Sequence, residues 1–261
     1  MRELRKVEEQ MKQVKGGVTA AKGFEAASTA AGIKYKDRTD MALVYSQVPC
    51  VAAGTFTTNV VKAAPVKWDQ QVVKSGAKAQ AVVVNSGIAN ACTGAEGFGY
   101  CKDTADAAAK ALNISADGVL IGSTGVIGKQ IPIDKLTAGI EALAGKKNDT
   151  LENGTEAAKA IMTTDTRSKQ VAVTVDIKGK KVTVGGMCKG AGMIHPNMAT
   201  MLCFITSDAN IEKSALQKMT SDIVEDSFNM ISVDGDTSTN DTALVLANGM
   251  AGNKKITEEG A

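Results

Sequence analysis

Short apolar segments and segments of helical character alternate along most of the chain. Residues 79–84 are apolar and end at the turn Asn85-Ser86-Gly87, so they predict a buried strand. The alanine-rich residues 104–112 predict a helix, and residues 118–122 predict another short strand that leads into a glycine-rich loop. This order of elements indicates a protein of mixed α and β structure.

The second half of the chain continues the same pattern. Residues 171–177 and 181–184 are rich in valine and other strand formers, and the Lys178-Gly179-Lys180 link between them predicts a β-hairpin. Residues 211–230 predict a helix, and residues 242–247 predict a final strand. The sequence has no fixed-period repeat and no low-complexity linker. We therefore expect an α/β fold, built as one large domain or as two closely packed ones.

Composition narrows the classes of function. The chain has 261 residues, of which 44% are hydrophobic, so it can bury a sizeable core. Its 30 basic and 28 acidic residues give a formal charge of +2, and no basic block is interleaved with aromatic residues, so nucleic acid is not an expected partner. The five cysteines contain no CxxC pair, which argues against a disulfide framework or a metal site and favours a reducing cytosol.

The first residues carry charges of both signs. Residues 1–16 predict a charged helical extension, and they have the features of neither a signal peptide nor a transit peptide. No apolar segment approaches the length of a membrane span. These observations predict a cytoplasmic protein without a membrane partner.

The junction Ala199-Thr200 has the features of a self-processing site. It lies between a turn-rich segment and an apolar, strand-like segment. A threonine hydroxyl needs a base, and cleavage before the residue makes its own α-amine that base, with an ordinary pKa of about 7.7 to 8.0. His195 is the one histidine of the chain, so a serine or cysteine triad would need it. Its place before Pro196 is more typical of a structural or surface residue.

Several motifs follow one another from residue 17 to the end of the chain. In this order they resemble the glutamate N-acetyltransferase, or ornithine acetyltransferase, family of arginine biosynthesis. The family's members continue beyond the point where this chain stops, so the resemblance implies that the C-terminal part is lacking. The motifs are Gly17-Val18-Thr19-Ala20-Ala21-Lys22-Gly23-Phe24, Phe56-Thr57-Thr58-Asn59, Ala63-Ala64-Pro65-Val66, Asn85-Ser86-Gly87-Ile88-Ala89-Asn90-Ala91-Cys92-Thr93-Gly94, Gly122-Ser123-Thr124-Gly125-Val126-Ile127-Gly128, Thr163-Thr164-Asp165-Thr166, the segment 189–209 and Asp234-Gly235-Asp236-Thr237-Ser238-Thr239-Asn240-Asp241.

The resemblance implies a fold, a maturation step and a reaction. The fold is a layered α-β sandwich like that of amino-terminal-nucleophile enzymes. Autocatalytic cleavage between Ala199 and Thr200 gives an α chain, residues 1–199, and the start of a β chain, residues 200–261, which together form an α/β hetero-assembly. Thr200 is then the nucleophile and, through its α-amine, the base.

The implied reaction moves acetyl from N2-acetyl-L-ornithine to L-glutamate by a ping-pong mechanism through acetyl-Thr200. No cofactor and no metal is implied. Whether acetyl-CoA is also an acetyl donor, which would make the protein an amino-acid N-acetyltransferase as well, stays open.

The glycine-rich residues 122–130 have three interpretations. A phosphate loop fails twice, because five residues separate Gly122 from Gly128 where four are needed, and Gln130 stands where a metal-binding serine or threonine is required. A glycine turn needed for packing is the common alternative. The resemblance implies a third, in which the Thr124 hydroxyl and the Gly125 backbone N–H form an oxyanion hole.

Four further sets of residues have two interpretations each. The resemblance implies that Thr163 and Lys189 bind substrate, with the lysine ammonium contacting a carboxylate, although Thr163 suits a turn and Lys189 a solvated surface. Residues 234–240 look like a calcium loop, but they lack its glycine and glutamate, so a hydrogen-bonded turn near the active site is the better interpretation. Cys188 and Cys203 flank the junction as catalytic thiols or, without a neighbouring activator, as small buried hydrophobes.

Three rival functions remain. A self-cleaving aminopeptidase of related fold would pass the acyl group to water instead of an amine. An inactive fragment or assembly module would show no transfer at all. A nucleotide-binding enzyme would need an affinity for ATP that depends on Lys129.

Overall fold

The computed structural model describes residues 11–195 and 201–258. Within these ranges the strands are β1 (Met11–Val14), β2 (Phe24–Thr29), β3 (Met41–Phe56), β4 (Ala79–Ile88), β5 (Val119–Val126), β6 (Lys169–Ile177), β7 (Lys180–Lys189), β8 (Leu202–Ser207) and β9 (Thr242–Ala247). The helices are α1 (Ala64–Ser75), α2 (Gly94–Leu112), α3 (Ile133–Lys146), α4 (Leu151–Ala160) and α5 (Lys213–Glu225), with short 3-10 helices at Ala116–Gly118 and Phe228–Met230.

Strand pairing follows one path, β1-β6-β7-β8-β9-β3-β4-β5, with β2 beside β3. The pairs β4–β5 and β8–β9 are parallel, and the others are antiparallel. The first half of β3 pairs with β2 and β4, whereas its second half, Val51 to Phe56, pairs with β9. The register shifts between Tyr45 and Cys50, where Pro49 has no N–H to donate to a ladder. This long strand therefore belongs to two sheets.

The two sheets pack face to face and carry helices on their outer sides. Alternate residues of β4 point in opposite directions, so Val82 and Val84 join a buried cluster with Phe204 of β8, whereas Val83 packs with Leu136 of α3. On the far side, α5 covers the second half of β3. The result confirms the layered α-β sandwich that the family resemblance implied.

Strands β8 and β9 lie in the middle of this path. β8 pairs with β7 on one side and with β9 on the other, and β9 pairs in turn with β3. Among the described residues, these two strands supply the backbone pairing that joins β1, β6 and β7 to the strands around β3.

Most of the predicted elements are confirmed, and two predictions were wrong in part. The predicted helix at 211–230 ends at Glu225, and a separate 3-10 helix follows at Phe228–Met230. The helical extension predicted for residues 1–16 is wrong at Met11–Val14, which form a strand paired with β6 from Met11↔Val175 onward; residues 1–10 lie outside the described residues. Pairing with β6 satisfies backbone groups at an otherwise open sheet edge, and this tertiary contact overrides local preference.

Candidate active site

The parallel pairing of β4 and β5 brings two of the sequence motifs together. Both strands end at the same edge of the sheet, and the register places Ser86 beside Thr124 and Gly87 beside Gly125. Gly125 has a φ of +132°, and a Cβ at this position would collide with the backbone of Gly87. Only glycine fits such a close approach without strain. Packing alone therefore requires Gly125, whatever else its N–H does.

A cavity of about 500 Å³ opens beside these strand ends. The predicted site residues Thr124, Gly125, Thr163 and Lys189 all line it, although they come from three distant parts of the sequence. Ala199 and Thr200, the predicted cleavage site and nucleophile, lie outside the described residues. Other lining residues include Lys34, Tyr35, Arg38, Asp234, Ser238 and Asn240.

Lys189 is the last residue of β7 and points inward. It is only 3% exposed, and its Nζ donates a hydrogen bond to Thr124 Oγ1 at 3.2 Å. Burial lowers the pKa of the Lys189 ammonium, and the carboxylates of Asp165 and Asp241 oppose this effect. The alternative interpretation of Lys189 as a solvated surface charge is therefore wrong.

Asp165 connects the Thr163 turn to the end of β7. Its Oδ1 accepts hydrogen bonds from the Gly190 amide at 2.8 Å and from Lys169 Nζ at 2.5 Å, and its Oδ2 accepts one from the Thr163 amide at 3.3 Å. Arg38 donates to the carbonyl oxygen of Thr163 and to that of the residue before it. The backbone of Thr163 thus forms a fixed turn in the cavity wall.

The chain before the junction is held by Asp234. Its two carboxylate oxygens accept hydrogen bonds from the amides of Met193, at 2.6 Å, and Ile194, at 2.8 Å. These backbone bonds, led by that of Met193, lower the pKa of Asp234. Residues 234–240 are therefore a hydrogen-bonded turn beside the site, as the sequence indicated.

The chain after the junction is held by Asp241. This side chain is fully buried, and its Oδ1 accepts a hydrogen bond from the Met201 amide at 2.9 Å. Burial raises the pKa of Asp241 to about 7. The neighbouring Asn240 donates to the carbonyl oxygens of Ala89, at 2.7 Å, and Ser123, at 2.8 Å, and so fixes this segment to the ends of β4 and β5.

The remaining candidates lie away from the cavity or lack reactivity. His195 is exposed and is not among the residues that line the cavity. Cys188 and Cys203 face each other across β7 and β8, and burial raises the pKa of both thiols, which favours the hydrophobic interpretation. Lys129 is exposed. Among the described residues, no group of His, Cys, Asp and Glu is arranged to hold a metal ion, and no helix is long and apolar enough to cross a membrane.

Sequence reasoning missed three residues that shape the site: Arg38, Asp165 and Asp241. Asp165 and Asp241 stand inside motifs that the sequence singled out, and their place in these motifs was the available signal. Arg38 gave no signal, because it lies more than a hundred residues from the carbonyl groups that it contacts.

The layered α-β sandwich recurs in two solved structures of low sequence identity. A β-aminopeptidase from Burkholderia shares this fold over 91% of the chain, with a TM-score of 0.54 at 11% identity. The PH0078 protein of Pyrococcus horikoshii shares it with a TM-score of 0.60 at 12% identity.

Closer relatives identify the family. The ArgJ family profile matches residues 25–260, and the chain belongs to this family. It is 52% identical over 240 residues to the arginine biosynthesis bifunctional protein ArgJ of Thermotoga neapolitana. The matched region covers 91% of this chain and 59% of that protein. The chain thus spans about three fifths of the length of this relative.

Two solved structures are similar in sequence as well as in fold. The crystal structure of the ArgJ protein of Bacillus halodurans gives a TM-score of 0.68 at 42% identity, over 72% of this chain and 98% of that one. The ornithine acetyltransferase of Mycobacterium tuberculosis, solved in complex with ornithine, gives a TM-score of 0.66 at 44% identity, over 74% of this chain and 100% of that one.

Proposed function

We propose that this chain carries the acetyl-transferring site of an autoprocessing acetyltransferase that moves acetyl from N-acetylornithine to glutamate in arginine biosynthesis. The observation that carries the proposal is the buried contact between Lys189 and Thr124 in the wall of the cavity. The names of the relatives, with their arginine-biosynthesis function and their ornithine complex, support the choice of pathway and substrate.

The contact between Lys189 and Thr124 suits an oxyanion hole. A threonine hydroxyl has one hydrogen to donate, and the Thr124 oxygen already accepts a hydrogen bond from Lys189. The hydroxyl hydrogen is therefore free to point at an oxygen in the cavity. A buried cation behind this donor favours negative charge on that oxygen, and Gly125 lies at the exposed end of the same strand, where its N–H is the second proposed donor.

The cavity wall also suits substrates that carry carboxylates. Lys34 and Arg38 line it together with Lys189, so three cationic side chains contribute to its wall. Glutamate and N-acetylornithine both carry an α-carboxylate, and cationic donors are the groups that hold carboxylates best. We assign Lys189 as a substrate contact on this basis, and Thr163, which lines the same cavity, on the resemblance to the family.

Thr200 is the proposed nucleophile. Its hydroxyl attacks the Ala199 carbonyl, the acyl group shifts from nitrogen to oxygen, and water hydrolyses the ester to leave a free α-amine on Thr200. The hydrogen bonds of Asp234 to the amide of Ile194 and of Asp241 to that of Met201 hold the chain on both sides of this junction. The α chain would then be residues 1–199, and the β chain would begin at Thr200.

The lengths of the relatives support this cut. The solved Bacillus halodurans ArgJ chain aligns over 98% of its length with 72% of this chain, so it is the shorter of the two. The ArgJ protein of Thermotoga neapolitana is longer than this chain, because 91% of this chain covers only 59% of it. Cleavage of a longer precursor would produce such a difference.

In turnover, the Thr200 amine takes the proton of the Thr200 hydroxyl as the oxygen bonds to the acetyl carbon. The carbonyl oxygen becomes an oxyanion that faces Thr124 and Gly125. Its collapse breaks the bond to the ornithine nitrogen, which takes the proton from the Thr200 ammonium and leaves acetyl on the threonine oxygen. The glutamate amine then attacks this ester and passes a proton to the Thr200 amine. Collapse of the second oxyanion breaks the bond between the acetyl carbon and the threonine oxygen, which takes the proton from the Thr200 ammonium, and N-acetylglutamate leaves.

The proposal is tested by offering glutamate each acetyl donor separately. We expect acetyl transfer from N-acetylornithine, without appreciable hydrolysis of peptides, and the arm with acetyl-CoA shows whether the protein also uses that donor. Peptide hydrolysis without transfer would identify a peptidase instead. If neither residues 1–261 nor a longer form that contains them transfers acetyl, the proposed function is wrong.

A further inference from the structure

The three cationic side chains that line the cavity differ in what they contact. Lys189 is buried, and its Nζ donates to Thr124 Oγ1 at 3.2 Å. The guanidinium of Arg38 donates to two backbone carbonyl oxygens of the cavity wall. Lys34 is exposed, and no carboxylate among the described residues forms an ion pair with it. Lys34 therefore brings to the cavity a charge that no described carboxylate neutralises.

The loop that carries Lys34 is held at a fixed place in the fold. The fully buried carboxylate of Asp40 accepts the amide of Ala31 at 2.8 Å and that of Ile33, directly before Lys34, at 2.6 Å. The Asp40 carbonyl oxygen accepts the Ser86 amide at 2.8 Å, near the end of β4. These bonds tie the loop to the edge of the sheet where the cavity opens.

The side chain of Lys34 begins beside the proposed oxyanion strand. A Cβ on Gly87 would lie 2.9 Å from the Lys34 Cβ, so the two residues are in close contact. Gly87 is also the residue that the strand register places beside Gly125, the second proposed oxyanion donor. A single glycine therefore separates Lys34 from the strand at which the acetyl carbonyl would be held.

Tyr35 holds the Lys34 ammonium without cancelling its charge. The Lys34 Nζ lies 4.7 Å from the centre of the Tyr35 ring, and the Arg38 Cζ lies 5.8 Å from it. A hydrogen bond between the Lys34 ammonium and the phenol lowers the pKa of Tyr35. An aromatic face attracts a cation but carries no net charge. Two cations gathered at one ring repel each other, and an anion bound beside them relieves that repulsion.

We propose that Lys34 selects the acetyl acceptor, because its ammonium binds the side-chain carboxylate of glutamate. The α-carboxylate lies next to the reacting nitrogen, where Lys189 beside Thr124 is the assigned contact. The side-chain carboxylate lies two methylene groups beyond the α-carbon and reaches toward the exposed rim, where Lys34 lies. This inference rests on the proposed function, since it assigns a residue to one of the two substrates named there.

The acetyl donor lacks this second carboxylate. N-acetylornithine carries an ammonium at the end of its side chain, which Lys34 repels instead of binding. Specificity is a difference of affinities, and one fixed charge can favour one ligand while it disfavours the other. Lys34 therefore strengthens the binding of glutamate and favours the release of ornithine before glutamate enters.

Lys36 offers a matched control. It is another exposed lysine of the same loop, and it does not line the cavity. Lys34→Met removes the charge but keeps an unbranched side chain against Gly87, and Lys36→Met makes the same change outside the cavity. Lys34→Glu and Lys36→Glu reverse the charge at the two places, whereas Lys34→Arg keeps it.

The test uses the longest form of the protein that carries residues 1–261 and compares kcat/KM for glutamate with kcat/KM for N-acetylornithine. We expect Lys34→Met to lower the value for glutamate about ten-fold, as for a lost hydrogen bond to a charged group, and not to lower the value for N-acetylornithine. Lys34→Glu should lower the value for glutamate further and raise that for N-acetylornithine about two- to five-fold, because its ammonium then meets a carboxylate. Lys34→Arg should retain the wild-type preference, and both Lys36 variants should leave both values within about two-fold.

Three results would overturn the inference. Equal losses for the two substrates in Lys34→Met would show that Lys34 binds the group that they share. An unchanged value for glutamate would show that Lys34 does not bind it, and an equal loss in Lys36→Met would indicate the general charge of the loop instead of a contact. Partial unfolding cannot imitate the expected result, because the ratio of the two kcat/KM values does not depend on the fraction of active protein.

These outcomes are distinct from failure of the proposed function. A wild-type protein that transfers acetyl, but whose Lys34 variants do not change the ratio, contradicts only this inference. A wild-type protein that transfers no acetyl contradicts the proposed function as well.

Discussion

Replacement of Thr124 by valine removes one hydroxyl at nearly constant volume, so it isolates the contact with Lys189. If the hydroxyl is an oxyanion donor, its loss should lower kcat about 10²- to 10³-fold, which corresponds to roughly 2.7 to 4 kcal/mol of transition-state stabilisation. The same change leaves a 3%-exposed ammonium without its hydroxyl acceptor, and an unmade hydrogen bond to a charged group costs about 1.5 to 3 kcal/mol of stability. Activity and unfolding free energy should therefore both fall.

The assay compares steady-state kinetics and urea unfolding of fully cleaved Thr124→Val, Thr124→Ser, Lys189→Met and the Thr124→Val/Lys189→Met double variant. Thr124→Ser keeps the hydroxyl and should stay within about ten-fold of wild-type kcat. If Lys189 acts on the transition state through Thr124, the double variant should lose no more kcat than Thr124→Val alone. It should also be more stable than Thr124→Val, because the buried ammonium that has lost its hydroxyl acceptor is gone.

Two results would refute this reasoning. An unchanged kcat in cleaved Thr124→Val would rule out the oxyanion role of the hydroxyl. Losses of kcat that simply multiply in the double variant would show that Lys189 acts independently of Thr124. A rise in KM for Lys189→Met, both alone and in the double variant, would report the separate role of Lys189 as a carboxylate contact.

Four more predictions address the junction and its surroundings. Thr200→Ala should remain a single chain by intact mass, and clean cleavage of that variant would contradict self-processing. The cleaved protein, given N-acetylornithine without glutamate, should carry one acetyl group on the peptide that begins at Thr200 and should lose it when glutamate is added. An unmodified peptide, together with intersecting lines in double-reciprocal plots of the initial rates, would indicate direct transfer instead. Gly125→Ala should lower the melting temperature more than Gly128→Ala, since both glycines have positive φ but only the first substitution adds a Cβ that collides with Gly87. Equal decreases in melting temperature would contradict the packing argument. In the uncut Thr200→Ala chain, the raised pKa of Asp241 means that the contribution of this group to stability is complete below about pH 4 and is lost as pH rises through 7. Urea unfolding at pH 5 and pH 8 should show a loss of about 2 to 3 kcal/mol from this group, and Asp241→Asn should remove that part of the pH dependence.

The strands and the hairpin could be predicted because local pattern and tertiary structure agree there. Val171 to Ile177 alternate toward and away from a neighbouring layer, and a glycine turn follows at Lys178-Gly179, where both residues have positive φ. Met11–Val14 could not be predicted, because a short polar segment becomes a strand only through the edge of β6. The double membership of β3 likewise depends on two partners, β4 and β9, that lie far apart in the sequence.

Residues of the candidate site could be named from the sequence, but their arrangement could not. The family motifs singled out Thr124, Gly125, Thr163 and Lys189, and all four line one cavity. Their mutual contacts depend on strand register, which sequence patterns do not specify across such distances. For this reason the contact between Lys189 and the Thr124 hydroxyl could not be predicted from the sequence.

The place of β8 and β9 in the middle of the sheet affects how the protein unfolds and refolds after the proposed cut. Each of these strands is paired on both sides with another strand, so the sheet is complete only when residues beyond the junction are in place. Cleavage would then follow folding, and it would change how the protein refolds after it has unfolded. An uncut chain refolds by itself, whereas two separated chains must first meet, so their refolding would depend on concentration. The persistence of the mature protein would therefore be set by how slowly it unfolds rather than by how readily it refolds.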